Sequence, residues 1–382
     1  MILGIDASNL RRGGGITHLL EILRAADPPA CGFNRVIVWG RDDLLSRIDD
    51  HPWLCKSSQS FLEKSLPARV FWQSFRLGRL VRDNDCDLLL APGGTCPGNI
   101  HPVVTMSRNL LPFEWREARR YGFSRLILRN LILRYVQSRG FRRADGLIFL
   151  TSYARSVVRR ITKNIPGEIE IIPHGVDDRF ILPPREQLPI TDYTFENPFY
   201  ILYVSIIEVY KHQWHVVEAV ARLREKGWPV ALDLVGPAYP PALKRLRRTL
   251  ERIDPGGEFA RYSGEISYAE LPGRYARADL NVFASSCENM PNILLEAMAS
   301  GLPIASSDRG PMPEILGPEG VYFDPEDPGR ISEALERLIA SPRRRGEQAR
   351  ASFERAKSYS WKRCADKTFE FLSRVAVRRG KA

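Results

Sequence analysis

The sequence predicts an α/β protein built from two doubly wound domains, and three observations carry that prediction. Short apolar runs bounded by turn residues alternate with longer helix-compatible segments, the pattern of parallel sheets covered by helices on both faces. The chain has 382 residues, more than one core usually organises. The alternation lapses once, over 181–198, where Ile-Leu-Pro-Pro-Arg-Glu-Gln-Leu-Pro opens a stretch of turn composition without periodicity.

In the first half the strand candidates are Ile2–Ile5, Arg35–Trp39, Leu88–Ala91, Val103–Met106, Gly146–Leu150 and Ile169–Ile172. The first leads into Arg11-Arg12-Gly13-Gly14-Gly15-Ile16 and a helix from Thr17. A glycine-rich turn between strand and helix lets the backbone approach a ligand, commonly a phosphate. After the lapse come strands Tyr200–Val204, Ala231–Val235, Phe259–Tyr262, Leu280–Ala284, Pro303–Ser306 and Val321–Phe323. Helices are expected near Gln213–Lys226, Pro241–Ile253, Tyr268–Ala276 and Gly329–Ala340. Tyr359-Ser360-Trp361 begins an amphipathic helix that ends in Arg378, Arg379 and Lys381. These limits give an N-terminal domain over 1–183, a C-terminal domain over 199–358, and a terminal helix over 359–382 that packs back on the N-terminal domain.

Composition is that of a globular protein, 44% hydrophobic and 26% charged, which excludes wholesale disorder. The start Met-Ile-Leu-Gly-Ile-Asp has no signal-peptide pattern, and no uncharged apolar run is long enough to cross a bilayer. Cys31, Cys55, Cys86, Cys96, Cys287 and Cys364 lack metal-ligand spacing and read as reduced thiols of a cytoplasmic protein. The net charge of +11 is unevenly placed: between Trp115 and Arg143 stand nine arginines against the single acid Glu117. Ile127, Leu128, Leu131, Ile132 and Tyr135 fall on one side of a helix there. A core helix with solvated arginines fits this pattern. So does an anionic membrane surface, with apolar residues inserted and arginines at the headgroups, and that partner is favoured over nucleic acid.

The most informative stretch is Cys-Glu-Asn-Met-Pro-Asn-Ile-Leu-Leu-Glu-Ala-Met-Ala-Ser-Gly over 287–301. It follows an apolar strand, Pro291 and Asn292 open a helix, and Gly301-Leu302-Pro303 stops it. A strand, a turn and a helix N-terminus present free amides and a positive dipole end to an anion. Glu288 stands in the loop and Glu296 one turn into the helix on the same side. Two carboxylates flanking a phosphate position suit a ligand with hydroxyls at both ends and phosphate between, which describes a nucleotide-sugar. Asp85-Cys86-Asp87 has the Asp-x-Asp spacing of a metal site but directly precedes a strand and reads as a turn; no residue cluster argues for a metal.

Several ordered motifs resemble the GT-B glycosyltransferases, specifically the retaining enzymes of glycosyltransferase family 4 (glycosyl transferases group 1). Glu288-x7-Glu296 with Ala297-Met298-Ala299-Ser300-Gly301-Leu302-Pro303 resembles the family's signature helix. Pro313-Glu314, Phe323-Asp324-Pro325, Ser263-Gly264 and Ala278-Asp279 stand in the family's order, Pro173-His174-Gly175-Val176-Asp177 resembles its Pro-Asn-Gly-Val-Asp turn, and Gly13-Gly14-Gly15-Ile16 its glycine loop. The resemblance implies two Rossmann-like domains facing across a cleft, the C-terminal one holding a nucleoside-diphosphate sugar and the N-terminal one the acceptor. It implies that Glu288 faces the sugar hydroxyls, Glu296 binds the ribose, and Lys211 contacts the diphosphate as a point charge. Gly14, Gly15, Met290, Pro291, Asn292, Ile293 and Leu294 complete the donor set, the free amides around 291–294 holding the diphosphate. His174 reads as structural.

Two departures stand out. Where many family members carry an Arg ahead of the lysine, this chain has Ser205-Ile206-Ile207, and where many carry a His in the N-terminal domain it has Arg108. Arg108 is read as the replacement cation and joins Glu288 and Lys211 in the catalytic set. The implied activity is metal-independent transfer with retention, without a cofactor, to a glycan or lipid-linked acceptor in polysaccharide, O-antigen or other surface glycan synthesis, at the inner face of the cell membrane. An epimerase or phosphorylase of the same fold, or a non-catalytic nucleotide-sugar-binding relative, are the alternatives.

Overall fold

In the computed structural model, which describes residues 1–11, 13–95, 100–122 and 124–380, each apolar run picked out above is a strand. The strands are β1 Ile2–Asp6, β2 Arg35–Gly40, β3 Leu54–Ser58, β4 Leu88–Ala91, β5 Val103–Met106, β6 Gly146–Phe149, β7 Glu168–Ile171, β8 Phe199–Val204, β9 Val230–Val235, β10 Ala260–Gly264, β11 Leu280–Phe283, β12 Ile304–Ser307 and β13 Val321–Phe323. The inner strands are short, apolar and largely buried, as strands covered on both faces are, whereas the edge strands β3, β7 and β10 are mixed in sequence and only partly buried. They form two parallel sheets, ordered β3-β2-β1-β4-β5-β6-β7 and β10-β9-β8-β11-β12-β13. Cys96, Arg12 and Lys381 lie outside the described residues; Cys31, Cys55, Cys86, Cys287 and Cys364 are free thiols.

The N-terminal unit comprises 1–118, 122–175 and 360–382. The step from β1 to β2 runs one way across its sheet, and the steps from β3 to β4 and from β5 to β6 run the other way. Right-handed crossovers therefore put the helix Gly14–Ala25 on one face, and the helical segment 66–83 with the helix Arg125–Arg143 on the other. The C-terminal helix Trp361–Gly380 packs against Gly14–Ala25. Its start presses on Gly175, where a Cβ would stand 2.2 Å from the Trp361 nitrogen.

The C-terminal unit comprises 119–121 and 176–359. Residues 176–198, assigned from sequence to the domain end and linker, are part of it. Asp279 at the start of β11 explains this: its carboxylate accepts from the Tyr200 amide (2.8 Å), the Tyr193 hydroxyl (3.0 Å) and Arg185 Nη2 (2.7 Å). Arg345, fully buried in the helix Pro342–Ala356, donates to the Leu338 carbonyl (2.9 Å) and to Gln187 Oε1 (3.1 Å). The apparent linker is thus pinned to its sheet by polar bonds that hydropathy does not register.

The basic helix Arg125–Arg143 is inverted relative to a core helix. Its buried residues include Asn130, Gln137, Ser138 and Phe141, whereas Leu128, Leu131, Ile132 and Tyr135 are exposed. Ser138 shares a hydrogen bond with Thr162 (2.8 Å), so its polar side is held inward.

Candidate active site

In the C-terminal unit the strands β8, β9 and β11 end side by side, which is where ligands gather in doubly wound sheets. The close approach is set by Gly236, just after β9: its φ is +141°, and a Cβ there would meet the Ser205 carbonyl at 2.2 Å. The loop after β8 brings Lys211 forward. Its backbone is fixed by the Tyr203 hydroxyl, which donates to the Lys211 carbonyl (2.7 Å), and by the Ser286 amide, which donates to the Tyr210 carbonyl (2.8 Å). His212 adopts a left-handed conformation (φ +51°) and shares a hydrogen bond with Ser286 Oγ (2.9 Å). Burial pushes its imidazole down to about 3, so it is a neutral strut.

Lys211 is 4% exposed and forms an ion pair with Glu288, whose side chain is nearly as enclosed. The loop of β8 and the loop of β11 thus bring one buried ammonium against one carboxylate, two residues 77 apart in sequence. A buried pair of this kind costs desolvation free energy that its mutual attraction only partly offsets.

Beyond Glu288 the helix Asn292–Ala299 starts without a capping side chain. The Leu294 amide is taken by the Pro291 carbonyl (3.1 Å), so Asn292 and Ile293 offer the first-turn amides. Asn292 Oδ1 is buried without a hydrogen-bond partner. Met290 and Pro291 are buried in the turn.

Glu296 lies one turn further in, 4% exposed. The Tyr268 hydroxyl reaches its Oε1 at 3.3 Å, and Tyr275, which donates to the Ile293 carbonyl (3.2 Å), stands beside it. Burial raises the carboxyl to about 7, and the two tyrosine hydroxyls only partly counter that. Oε2 is buried with no partner. An acceptor left unsatisfied in the core is costly unless a ligand completes it. The sequence reading missed both tyrosines: the helix expected from Tyr268 begins at Leu271, so Tyr268 reaches Glu296 from the turn before it and Tyr275 from within it.

In the N-terminal unit Arg108 is turned onto the glycine loop: Nη2 donates to the Gly14 carbonyl (2.7 Å) and Nη1 to the Gly15 carbonyl (3.2 Å). Burial holds its guanidinium down at about 10, still charged at neutral pH. Gly13 has φ +70° and opens the helix without a side-chain cap. Below the loop His18 Nδ1 and His174 Nδ1 lie 2.8 Å apart, with Trp361 packed on both rings. Burial drives both imidazoles well below their ordinary value, so one neutral ring donates to the other. His174 is a structural link to the C-terminal helix. Asp87 accepts from the Ile2 amide (2.6 Å) and Asp85 is left-handed, which makes Asp85-Cys86-Asp87 a turn.

The sequence profile of the glycosyl transferases group 1 matches residues 198–341. An MMP alpha-(1->4)-mannosyltransferase of Mycolicibacterium hassiacum is 27% identical over 317 residues, 78% of this chain and 71% of its own. A GDP-mannose-dependent alpha-(1-6)-phosphatidylinositol monomannoside mannosyltransferase of Mycobacterium tuberculosis is 26% identical over 314 residues, 78% of each chain. The sucrose-phosphate synthase of Thermosynechococcus elongatus superimposes with a TM-score of 0.73 at 18% identity, over 100% of this chain and 98% of its own, which speaks for the fold. The matched segment is the one that carries Lys211, Glu288 and Glu296: residues 198–341 match the glycosyl transferases group 1, and the fold of the chain is that of the GT-B glycosyltransferases.

Proposed function

We propose that the protein transfers a sugar from a nucleoside-diphosphate sugar to a hydroxyl of a glycan or lipid-linked acceptor, with retention at the anomeric carbon. The observation that carries this is the buried Glu296 with its unpartnered Oε2, in the helix that opens just after Glu288 and its partner Lys211. Its carboxylate takes the ribose hydroxyls, the Asn292 and Ile293 amides take the diphosphate, and Glu288 takes the sugar hydroxyls. Lys211 then neutralises the departing diphosphate. As the C1–phosphate bond breaks, the acceptor oxygen bonds to C1 on the same face, and its proton passes to a leaving phosphate oxygen. No separate base or metal takes part. The GDP-mannose in the name of the mycobacterial relative supports the donor class, and the phosphatidylinositol monomannoside in the same name supports a lipid-linked acceptor.

The test is a panel of nucleotide-sugars with a lipid-linked acceptor pool, the product anomer being read by NMR. Retention of the donor's configuration is expected. An inverted product, or conversion of donor to its epimer without acceptor, would sink the reading.

Arg108 is the cation assigned in place of the Arg lacking at Ile206, through its hold on the glycine loop. Arg108→Ala should lower kcat/KM by about 10–100-fold. Unchanged turnover and donor affinity would refute the assignment.

The helix Arg125–Arg143, within 115–143, is proposed to meet an anionic membrane surface, since its apolar residues face outward among arginines. Charge reversal at Arg125, Arg129 and Arg134 should abolish sedimentation with anionic vesicles; binding at the unaltered level would exclude the contact.

A further inference from the structure

A second segment of the N-terminal unit shares the character of Arg125–Arg143 and comes from a different part of the chain. Residues 66–83 run as the helix Leu66–Phe71, a π turn Trp72–Arg76 and the helix Leu77–Asp83. The second half is ordinary: Leu77 and Val81 join the core with Trp39, Leu89 and Ile100. The first half is not. Leu66, Val70 and Phe71 are exposed and Phe75 is 71% exposed, although Trp72 between them is buried. From Lys64 to Arg82 the sequence has five cations and no carboxylate, and from Ser124 to Arg143 six arginines and none.

Topology aligns the two segments. Both are crossovers on the same face of the sheet, and crossover helices run antiparallel to the strands, so their N-terminal halves lie at the strands' C-terminal ends. Gln73 in the π turn fixes this end: its Nε2 donates to Asp6 Oδ2 at the end of β1 (2.6 Å) and to Ser8 Oγ (2.9 Å). Gln137 in the other helix lies against Gly94, just beyond β4. The exposed apolar residues lie between Leu66 and Phe75 in one segment and between Leu128 and Val136 in the other, so the last turns of both, toward the opposite end of the sheet, carry none.

We propose that Leu66–Arg76 is a second bilayer-contacting element, which with Arg125–Arg143 forms one surface for an anionic lipid membrane. The proposal rests on the membrane reading of Arg125–Arg143 for its partner and adds a contact that reading does not contain. The occupant follows from charge complementarity. Two segments remote in sequence both exclude carboxylates and set large apolar or aromatic side chains among guanidiniums, which suits inserted side chains with cations at the headgroups. Phe75 and Tyr135, at 71% and 65% exposure, are the leading anchors. The surface lies at the strand ends where a doubly wound sheet receives its ligand, so a lipid-borne acceptor would arrive there from the bilayer.

The test uses the full chain, with vesicles of phosphatidylcholine alone or with about a third phosphatidylglycerol. The unaltered chain should sediment with the anionic vesicles at low salt and release as salt rises. The exposed pair Phe71→Ser/Phe75→Ser should weaken that partitioning roughly tenfold, Leu128→Ser/Ile132→Ser should weaken it similarly, and the four together more than either. Unchanged melting of each variant, expected for surface positions, shows that the fold is kept. If the phenylalanine pair binds like the unaltered chain while the Leu128 pair does not, the second element is refuted and the first stands. If the phenylalanine pair instead converts a dimer to a monomer in light scattering, a second copy of the chain is the occupant and the proposal falls. Equal binding to both vesicle compositions would also overturn it.

Discussion

Replacing Lys211 by Met should lower kcat by roughly a thousandfold, the scale of losing a buried charge that meets the leaving group. The lysine is nearly sealed, its carbonyl is pinned by Tyr203, and its ammonium is paired with Glu288. Removing the ammonium also leaves the partly buried Glu288 carboxylate without its counter-ion, a loss of about 1–3 kcal/mol. A single substitution therefore confounds chemistry with folding. Lys211→Met/Glu288→Gln separates them: with both charges gone, melting should return most of the way to that of the unaltered chain, while turnover stays lost. Steady-state rates at saturating donor, beside thermal melts of the three chains, decide the matter. If the double variant melts normally and turns over within about tenfold of the original, Lys211 is not the leaving-group cation. Lys211→Arg should rescue poorly, since a planar fork does not fit the space of a compact ammonium.

The parts of this chain legible in its sequence are those fixed by hydropathy and turn chemistry. Strands such as Leu88–Ala91 and Val103–Met106 are uniformly apolar because helices cover both faces, and their limits are read directly. The strand Leu54–Ser58 escapes because it closes an edge, pairs on one side only and carries Lys56 and two serines. The helix Pro342–Ala356 escapes because its inward side includes Arg345, whose guanidinium is satisfied by carbonyls outside the helix, Leu338 shortly before it and Leu188 far away in sequence. The candidate site divides similarly. Glu288, Glu296 and the helix start between them are local and could be read; Tyr268, Tyr275 and the left-handed His212 gain meaning only when separate loops meet. The apolar stripe of Arg125–Arg143 was legible as a stripe, but which way it faces depends on its polar side being held by Thr162 and its neighbours.

Donor binding should strengthen by about tenfold between pH 6 and pH 8, and Glu296→Gln should remove that dependence. Burial holds the carboxyl at about 7, so at pH 6 most molecules carry a proton there. A ribose diol donates hydrogen bonds, which favour the ionised form, so binding must expel that proton below the pKa and need not above it. An intact nucleotide-sugar has no phosphate group titrating in this range, which leaves Glu296 as the group that responds. The sign for stability is opposite. The folded value lies above the ordinary carboxyl value of 4.5, so the stabilisation is fully present below 4.5 and is lost as pH rises through about 7. That loss is on the order of 3 kcal/mol from this side chain, offset when donor hydroxyls satisfy Oε2. The unliganded chain should therefore lose melting temperature from pH 5 to 8 more steeply than Glu296→Gln, and saturating donor should flatten the difference. The glutamine variant should bind donor roughly 10–100-fold more weakly at pH 8, where the native carboxylate is charged. Calorimetric titration of both chains at pH 6, 7 and 8 gives the comparison. Parallel pH profiles in the two chains would show that the carboxyl is not in contact with the donor, whatever its burial.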